Sequence, residues 1–169
     1  MKTKHLTLCG VLTAVALAIF VLEAQLPHLL PVPGVKPGLS NLITLFALLY
    51  LSPGETLLIL LARIVLGALL TGNPSTLLYS LAGGLGCLGT ELFLLRKCKV
   101  SAIWAISAVG AMAHNLIQTF VAAWMTKTPE VFWYLPFLLI TGMLAGIFTG
   151  LCIQVLHRRY GHRLKKHMS

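Results

Sequence analysis

The segment that decides the fold runs from Leu6 to Leu22 and reads LTLCGVLTAVALAIFVL, without a charged residue. A bilayer crossing takes about 20 apolar residues in helical form, so we interpret this segment as a transmembrane helix. The basic residues before it would also suit a signal peptide, but the apolar run is long for that purpose and no A-x-A cleavage site follows. We therefore expect the helix to be retained.

The same kind of apolar block recurs along the whole chain. Of 169 residues, 57% are hydrophobic and 10% are charged, and the mean hydropathy is +0.89, whereas a soluble domain would carry about 25% charged residues. The sequence predicts an all-α polytopic membrane protein with one integral membrane domain, residues 1–169. We place its six transmembrane helices at about 6–26, 38–51, 54–71, 76–95, 101–125 and 131–156.

The basic residues predict the topology. Of the thirteen, two precede helix 1, three lie between helices 4 and 5, and five follow helix 6. These ten fall on one side, against Lys36 and Lys127 on the other: Lys2, Lys4, Arg96, Lys97, Lys99, Arg158, Arg159, Arg163, Lys165 and Lys166. Under the positive-inside rule both termini are then cytoplasmic. This leaves an outer loop at 27–37 and a cytoplasmic basic tail at 157–169.

The acidic residues exclude several activities. All four are glutamates, Glu23, Glu55, Glu91 and Glu130, and the chain contains no aspartate and no GxxxxGK[ST] motif. We therefore expect neither ATP hydrolysis nor aspartate-held magnesium diphosphate chemistry. The four cysteines have no CxxC spacing, which argues against a zinc site. We expect no catalytic residues, no metal and no cofactor.

The connection before helix 2 is rich in proline and apolar, and helix 2 itself is short for a span. Such a connection is predicted to fold back over the bundle, either as a rigid connector or as a loop that covers a substrate. Lys36 and Asn41 lie in this region.

Two polar features lie within the predicted spans. Arg63 is deep in helix 3 and needs a partner there, which could be Glu23, Glu55 or an anionic ligand. Helix 5 places His114, Asn115 and Gln118 within one turn. These three side chains suit either interhelical hydrogen bonds or ligand contact.

Small residues form smooth faces on three helices. Gly10, Ala14 and Ala18 recur every four residues on helix 1, which indicates either packing within the bundle or docking to another membrane protein. We interpret Gly83, Gly86 and Gly89 on helix 4, and Gly142, Gly146 and Gly150 on helix 6, as packing seams.

Several motifs together resemble a bacterial membrane family described as Gx transporter or heptaprenyl diphosphate synthase component I. They are PVPGVKPGLSN at 31–41, RIVLG at 63–67, SLAGG at 80–84, HNLIQ at 114–118 and YLP at 134–136. That family is similar to the S components of energy-coupling factor (ECF) transporters. The resemblance implies a six-helix subunit that binds a vitamin-like molecule near the outer face. It also implies docking through the small-residue face of helix 1 to a transmembrane coupling subunit, which works with two ABC-type ATPases.

We therefore expect a multi-pass protein of the bacterial plasma membrane that binds a small polar or anionic molecule for import, and not an enzyme. The expected binding residues are Lys36, Asn41, Arg63, His114, Asn115, Gln118 and Tyr134, with Trp124 and Trp133 as further stacking surfaces. Two alternatives stay open. One is a membrane scaffold in flavin, quinone or isoprenoid metabolism, and the other is a membrane enzyme that uses His114 on a lipid diphosphate.

Overall fold

The computed structural model describes residues 3–25, 39–72, 75–98 and 102–168. Its regular elements in these ranges are all helical, which confirms the all-α prediction. The helices are α1 Thr3–Gln25, α2 Asn41–Tyr50, α3 Pro53–Thr71, α4 Ser75–Lys97, α5 Ile103–Thr126 and α6 Leu135–Met168, with a 3-10 helix at Pro129–Tyr134 before α6. The predicted outer loop 27–37 lies outside the described residues.

Five of these helices are long and apolar enough to cross a bilayer, and α2 is a shorter apolar helix. Ten residues of helix extend about 15 Å, half of the hydrocarbon thickness of about 30 Å. The chain is therefore a helical membrane protein whose second helix does not span the bilayer by itself.

Local sequence fixes the start of α3. The Ser52 side chain accepts the backbone N–H of Glu55, the Glu55 carboxylate accepts the backbone N–H of Ser52, and Pro53 occupies the first turn. This capping box satisfies two backbone donors that the helix itself leaves free. Glu55 Oε1 also lies 2.9 Å from His5 Nδ1, which joins the start of α1 to the start of α3.

The start of α3 lies at what we call the basic end of the bundle, the end to which α4 carries Arg96 and Lys97. The Tyr50 hydroxyl is 2.8 Å from His157 Nδ1 there, so that α2 and α6 are also joined at this end.

The short helix α2 lies at the centre of the bundle. Leu45 and Ala47 are completely buried, and α2 contributes to all three apolar clusters of the core. One cluster joins it to α1 and α3, another to α3 and α4, and the third to α5 and α6. Because every other helix packs around α2, its position determines where the others meet.

Glycines allow the closest helix contacts. On α6, a Cβ at Gly150 would lie 2.5 Å from Trp104 Cα, and one at Gly146 would lie 2.7 Å from Ala108 Cα. At Gly67 on α3, a Cβ would lie 2.5 Å from the Phe20 ring of α1. The predicted seam on α6 is therefore present, because the α5 backbone occupies the space where side chains would be.

One predicted seam residue on α4 is not in a seam. Gly83 and Gly86 pack against α5, at His114 and Ile117, but Gly89 is exposed and a Cβ there would meet nothing within 4 Å. The spacing of three residues turns each glycine by about 300°, so the third glycine has rotated away from the contact.

The last helix differs from its predicted limits of 131–156. Pro129–Tyr134 is a 3-10 helix, and α6 begins at Leu135 because Pro136 is suited to a first helical turn. Beyond the predicted end at 156, α6 continues to Met168, so most of the predicted basic tail, 157–169, extends this helix, and its cytoplasmic location stays a prediction. No proline interrupts that stretch and most of its residues are compatible with a helix.

Glycine-to-alanine changes should separate the seam from the exposed position. Gly150→Ala forces a Cβ into the α5 backbone, and overpacking of this kind costs about 1–3 kcal/mol, so we expect a lower midpoint of thermal unfolding in detergent. Gly89→Ala is the matched control. It should leave the midpoint unchanged or raise it, because alanine favours the helix. Equal midpoints for the two variants would contradict the assigned packing.

Candidate functional site

Arg63 lies at the centre of a polar cluster in the bundle. Its side chain is 2% exposed, and its two terminal nitrogens donate hydrogen bonds to residues at the start of α2. Nη1 donates to Ser40 Oγ, and Nη2 donates to Asn41 Oδ1 at 3.3 Å. Arg63 Nε is buried and has no hydrogen-bond partner among the described residues. A guanidinium carries five N–H donors, so the cluster retains donors for a further acceptor.

Glu23, at the end of α1, holds the first turn of α2 beside Arg63. Its carboxylate accepts the backbone N–H groups of Leu39, at 2.6 Å, and Ser40, at 3.2 Å. These N–H groups precede α2 and have no partner inside the helix. A carboxylate placed here also interacts favourably with the helix dipole.

Arg63 therefore interacts with several groups and not with a single partner. Glu23 acts on the guanidinium electrostatically, but the hydrogen bonds of Arg63 go to Ser40 and Asn41. Glu55 is not involved, because it caps α3 at the basic end and contacts His5. The buried charge is balanced across space by Glu23 and stabilised locally by the polar groups of α2.

His114 extends the cluster to α5 and α4. The ring Nδ1 is 3.4 Å from Asn41 Nδ2. Because Asn41 Oδ1 accepts from Arg63, Nδ2 is the donor in this contact, and a neutral ring protonated on Nε2 satisfies it. The ring also hydrogen-bonds to the backbone of Gly83. A Cβ at Gly83 would lie 2.9 Å from the ring, so glycine lets His114 reach α4.

A small cavity lies within this cluster. Its volume is about 20 Å³, enough for about one water molecule and far below the 300–1,000 Å³ or so of typical ligand pockets. Its wall consists of one aromatic residue and of polar residues from five helices and from Ser40, which precedes α2. The lining residues are Phe20, Glu23, Ser40, Asn41, Arg63, Ser80, His114 and Gln118. The structure thus brings together four of the seven predicted binding residues, Asn41, Arg63, His114 and Gln118.

The other predicted binding residues lie elsewhere. Asn115 Nδ2 donates to the Leu138 carbonyl of α6 at 2.7 Å, opposite Gly142, which is the interhelical use that the sequence left open. Tyr134 is 40% exposed at the end of the 3-10 helix. Lys36 lies outside the described residues. A binding role for these three residues stays a prediction.

The aromatic residues expected to stack on a ligand are at the surface. Trp124 and Trp133 are 79% and 86% exposed, and neither lines the cavity. Exposed tryptophans near the ends of membrane helices are typical of the bilayer interface.

The two faces of α1 have different surroundings. Cys9, Leu12, Ala16 and Phe20 are buried against the bundle, and Glu23 follows them on the same face. Gly10, Ala14 and Ala18 are exposed on another face, and a Cβ at Gly10 would meet nothing within 4 Å. Among the described residues, the small-residue face is therefore not packed against another helix of the bundle, which favours the docking interpretation over internal packing.

The family model described as heptaprenyl diphosphate synthase component I matches the chain over residues 12–156. The chain belongs to this family. No curated protein and no solved structure matches it. The matched range includes every residue of the polar cluster and most of α1. Both therefore lie in the part of the chain that the family model describes.

Sequence reasoning missed several residues of the cavity wall. Ser40 was visible only as part of the 31–41 motif, although it directly precedes Asn41 and could cap a helix. Ser80 lies three residues before Gly83, on the same helical face, and this spacing is a usable signal. Phe20 gave none, because an apolar residue on a membrane helix has no distinguishing pattern.

Replacing Arg63 by lysine should reveal the hydrogen bonds to α2. Lysine keeps the charge but cannot match the planar geometry of a guanidinium, so Ser40 or Asn41 loses its donor. Leaving a buried acceptor unpaired costs about 1–3 kcal/mol, and Arg63→Lys should lower the unfolding midpoint in detergent. The same change at exposed Arg96 should have no effect. A midpoint for Arg63→Lys equal to that of Arg96→Lys would show that the assigned bonds do not stabilise the bundle.

Proposed function

We propose that the protein is the substrate-binding S component of an ECF-type importer in the bacterial plasma membrane. Its substrate would be a small polar or anionic, vitamin-like molecule, and it would carry out no catalysis itself. One observation carries this proposal: α1 ends in the polar cluster through its inner face and presents an unused small-residue surface through its outer face. Helix α1 thus connects the proposed ligand site with the proposed docking surface.

The chemistry of the cavity favours an anionic or polar substrate. Arg63 contributes positive charge and an Nε donor that has no partner among the described residues, and His114 and Gln118 contribute polar groups. A buried donor without a partner is costly unless water or a ligand satisfies it. Glu23 partly offsets the charge, which favours a substrate with one anionic group over a highly charged one.

The cavity must widen before such a molecule can enter. Its present volume of about 20 Å³ suits water, so binding requires rearrangement at the start of α2. Two hydrogen bonds from Glu23 hold the backbone of Leu39 and Ser40 to α1. In this proposal the 27–37 segment acts as a lid, and Lys36 contributes charge from it.

The outer face of α1 would dock on a transmembrane coupling subunit that works with two ABC-type ATPases. Small residues let two helices approach closely in a membrane, where dispersion contacts replace the hydrophobic effect. The chain has no P-loop motif, so separate subunits would supply the ATP hydrolysis.

A second function is favoured by the size of the cavity. A water-sized cavity is what a membrane scaffold without a substrate would have, and the small-residue face of α1 would serve its assembly equally well. A scaffold in flavin, quinone or isoprenoid metabolism would co-purify with enzymes of that metabolism instead of with a coupling subunit and ATPases.

Ligand binding should depend on the cavity residues. Mass spectrometry of gently purified protein would identify a retained small molecule, whose affinity can then be measured directly. His114→Ala and Gln118→Ala should each weaken it by about tenfold, since one lost hydrogen bond costs about 1.4 kcal/mol. Gln154→Ala is the matched control, because Gln154 is also buried but contacts Trp104. Unchanged affinity in both cavity variants would refute the site.

Docking should depend on the small-residue face of α1. Ala14→Leu fills the exposed face and should prevent co-purification of the coupling subunit and ATPases. Val15→Leu is the control, because Val15 is also exposed but next to that face. Both variants should keep the wild-type unfolding midpoint. Normal assembly of Ala14→Leu would refute this docking surface.

A further inference from the structure

A second polar cavity lies between α4, α5 and α6, and the polar cluster does not account for it. Its volume is about 10 Å³, close to the smallest space that holds one water or one small ion. Glu91 and Cys87 of α4, Ser107 of α5 and Thr149 of α6 supply its polar wall, together with Asn41 of α2. A carboxyl group inside a membrane bundle requires a physical explanation.

Glu91 is 1% exposed and faces the interior. A Cβ at Gly110 would lie 2.8 Å from its Oε1, so α5 closes over the carboxyl. Cys87, one turn earlier, hydrogen-bonds to this group, whereas Oε2 is buried and has no hydrogen-bond partner in the described part of the chain. Arg96 and Lys97 are exposed at the basic end, and neither forms an ion pair with Glu91.

The two hydroxyl groups in the cavity wall also present acceptors. Thr149 Oγ1 donates to the Gly146 carbonyl at 3.2 Å and lies 3.1 Å from Ser107 Oγ. Since Thr149 has used its only proton, Ser107 is the donor in that contact. Lone pairs of both hydroxyl oxygens are left, and Oε2 of Glu91 adds further acceptor positions.

We propose that this cavity binds a small monovalent cation of the size of sodium, with Glu91 as the charged ligand and Ser107 and Thr149 as neutral oxygen ligands. Oε2 of Glu91 and the two hydroxyl oxygens are oxygen ligands of the kind that a hard cation requires. An unneutralised carboxylate would be strongly disfavoured at this depth, and the cation removes that cost.

Two alternatives fit the wall less well. A proton on Glu91 would neutralise the carboxyl but would leave unused the lone pairs of Ser107 and Thr149 that face the same cavity, whereas a cation can be bound by all three side chains. A calcium ion takes about 6–8 oxygens, often from several carboxylates, and Glu91 is the single carboxylate here. No group of three or more His, Cys, Asp and Glu residues that could hold a metal occurs among the described residues.

Asn41 lines both cavities. It accepts a hydrogen bond from Arg63 and contacts His114, so the cation would lie next to the polar cluster. The cation site itself is independent of the proposed import function, because it is defined by Glu91 and the hydroxyl groups.

Direct binding of radioactive sodium to the purified full chain in detergent tests the proposal, without any substrate or coupling subunit. We expect saturable binding of one ion per chain. Sodium chloride should also raise the unfolding midpoint relative to choline chloride at equal ionic strength, because an ion that binds only the folded state stabilises it. Glu91→Gln should weaken binding by about tenfold or more, since even indirect contacts to a metal ligand contribute that much.

Ser107→Ala and Thr149→Val should each weaken sodium binding, and they keep the test decisive if Glu91→Gln does not fold. Glu55→Gln is the matched control and should retain the sodium effect, because Glu55 lies outside this cavity. Equal stabilisation by sodium and choline, or sodium binding unchanged in both hydroxyl variants, would overturn the proposal. A midpoint that depends on pH but not on sodium would overturn it in favour of a protonated carboxyl.

Discussion

A guanidinium buried in a membrane bundle must obtain from the protein the polar contacts that water would otherwise give. Arg63 obtains them from Ser40 and Asn41 at the start of α2, while Glu23 holds the preceding backbone from the other side. This requirement explains why α2 starts inside the bundle. A helix of about 15 Å that begins at that depth can still reach the basic end, where Tyr50 contacts His157.

The central position of α2 follows from the same contacts. Its apolar side chains join all three clusters of the core, and its first polar residue, Asn41, connects Arg63 to His114 and lines both cavities. Membrane proteins cannot leave backbone groups unpaired in lipid. Here the N–H groups of Leu39 and Ser40 before α2 are paired with Glu23, so one short helix supplies both packing and a polar interior. The two proposed sites, for a substrate and for a cation, are therefore adjacent.

A sequence pattern does not show in which direction a side chain points from its helix, or which distant helix it contacts. The pattern of apolar blocks identified all six α-helices, because hydrophobic length and proline positions are local properties. It could not show that Asn115 faces Leu138 while His114 faces Asn41, since neighbouring residues on one helix differ by about 100° in direction. Nor could it show that Gly89 and Ala14 face away from the bundle. Nor does the pattern reveal that α6 continues past residue 156, because the change from apolar to basic residues there leaves the helical backbone intact.

The sequence by itself determined the class of protein, the approximate helices, the absence of aspartate and the likeness to the component I family. It also singled out Arg63, His114 and Gln118, because polar residues within apolar segments are costly and so have a local signature. Only the tertiary structure decided that Glu23 reaches the start of α2, that Glu91 lies among hydroxyl groups, and which face of α1 is free. These are contacts between helices far apart in sequence, and their geometry depends on packing that no local pattern encodes.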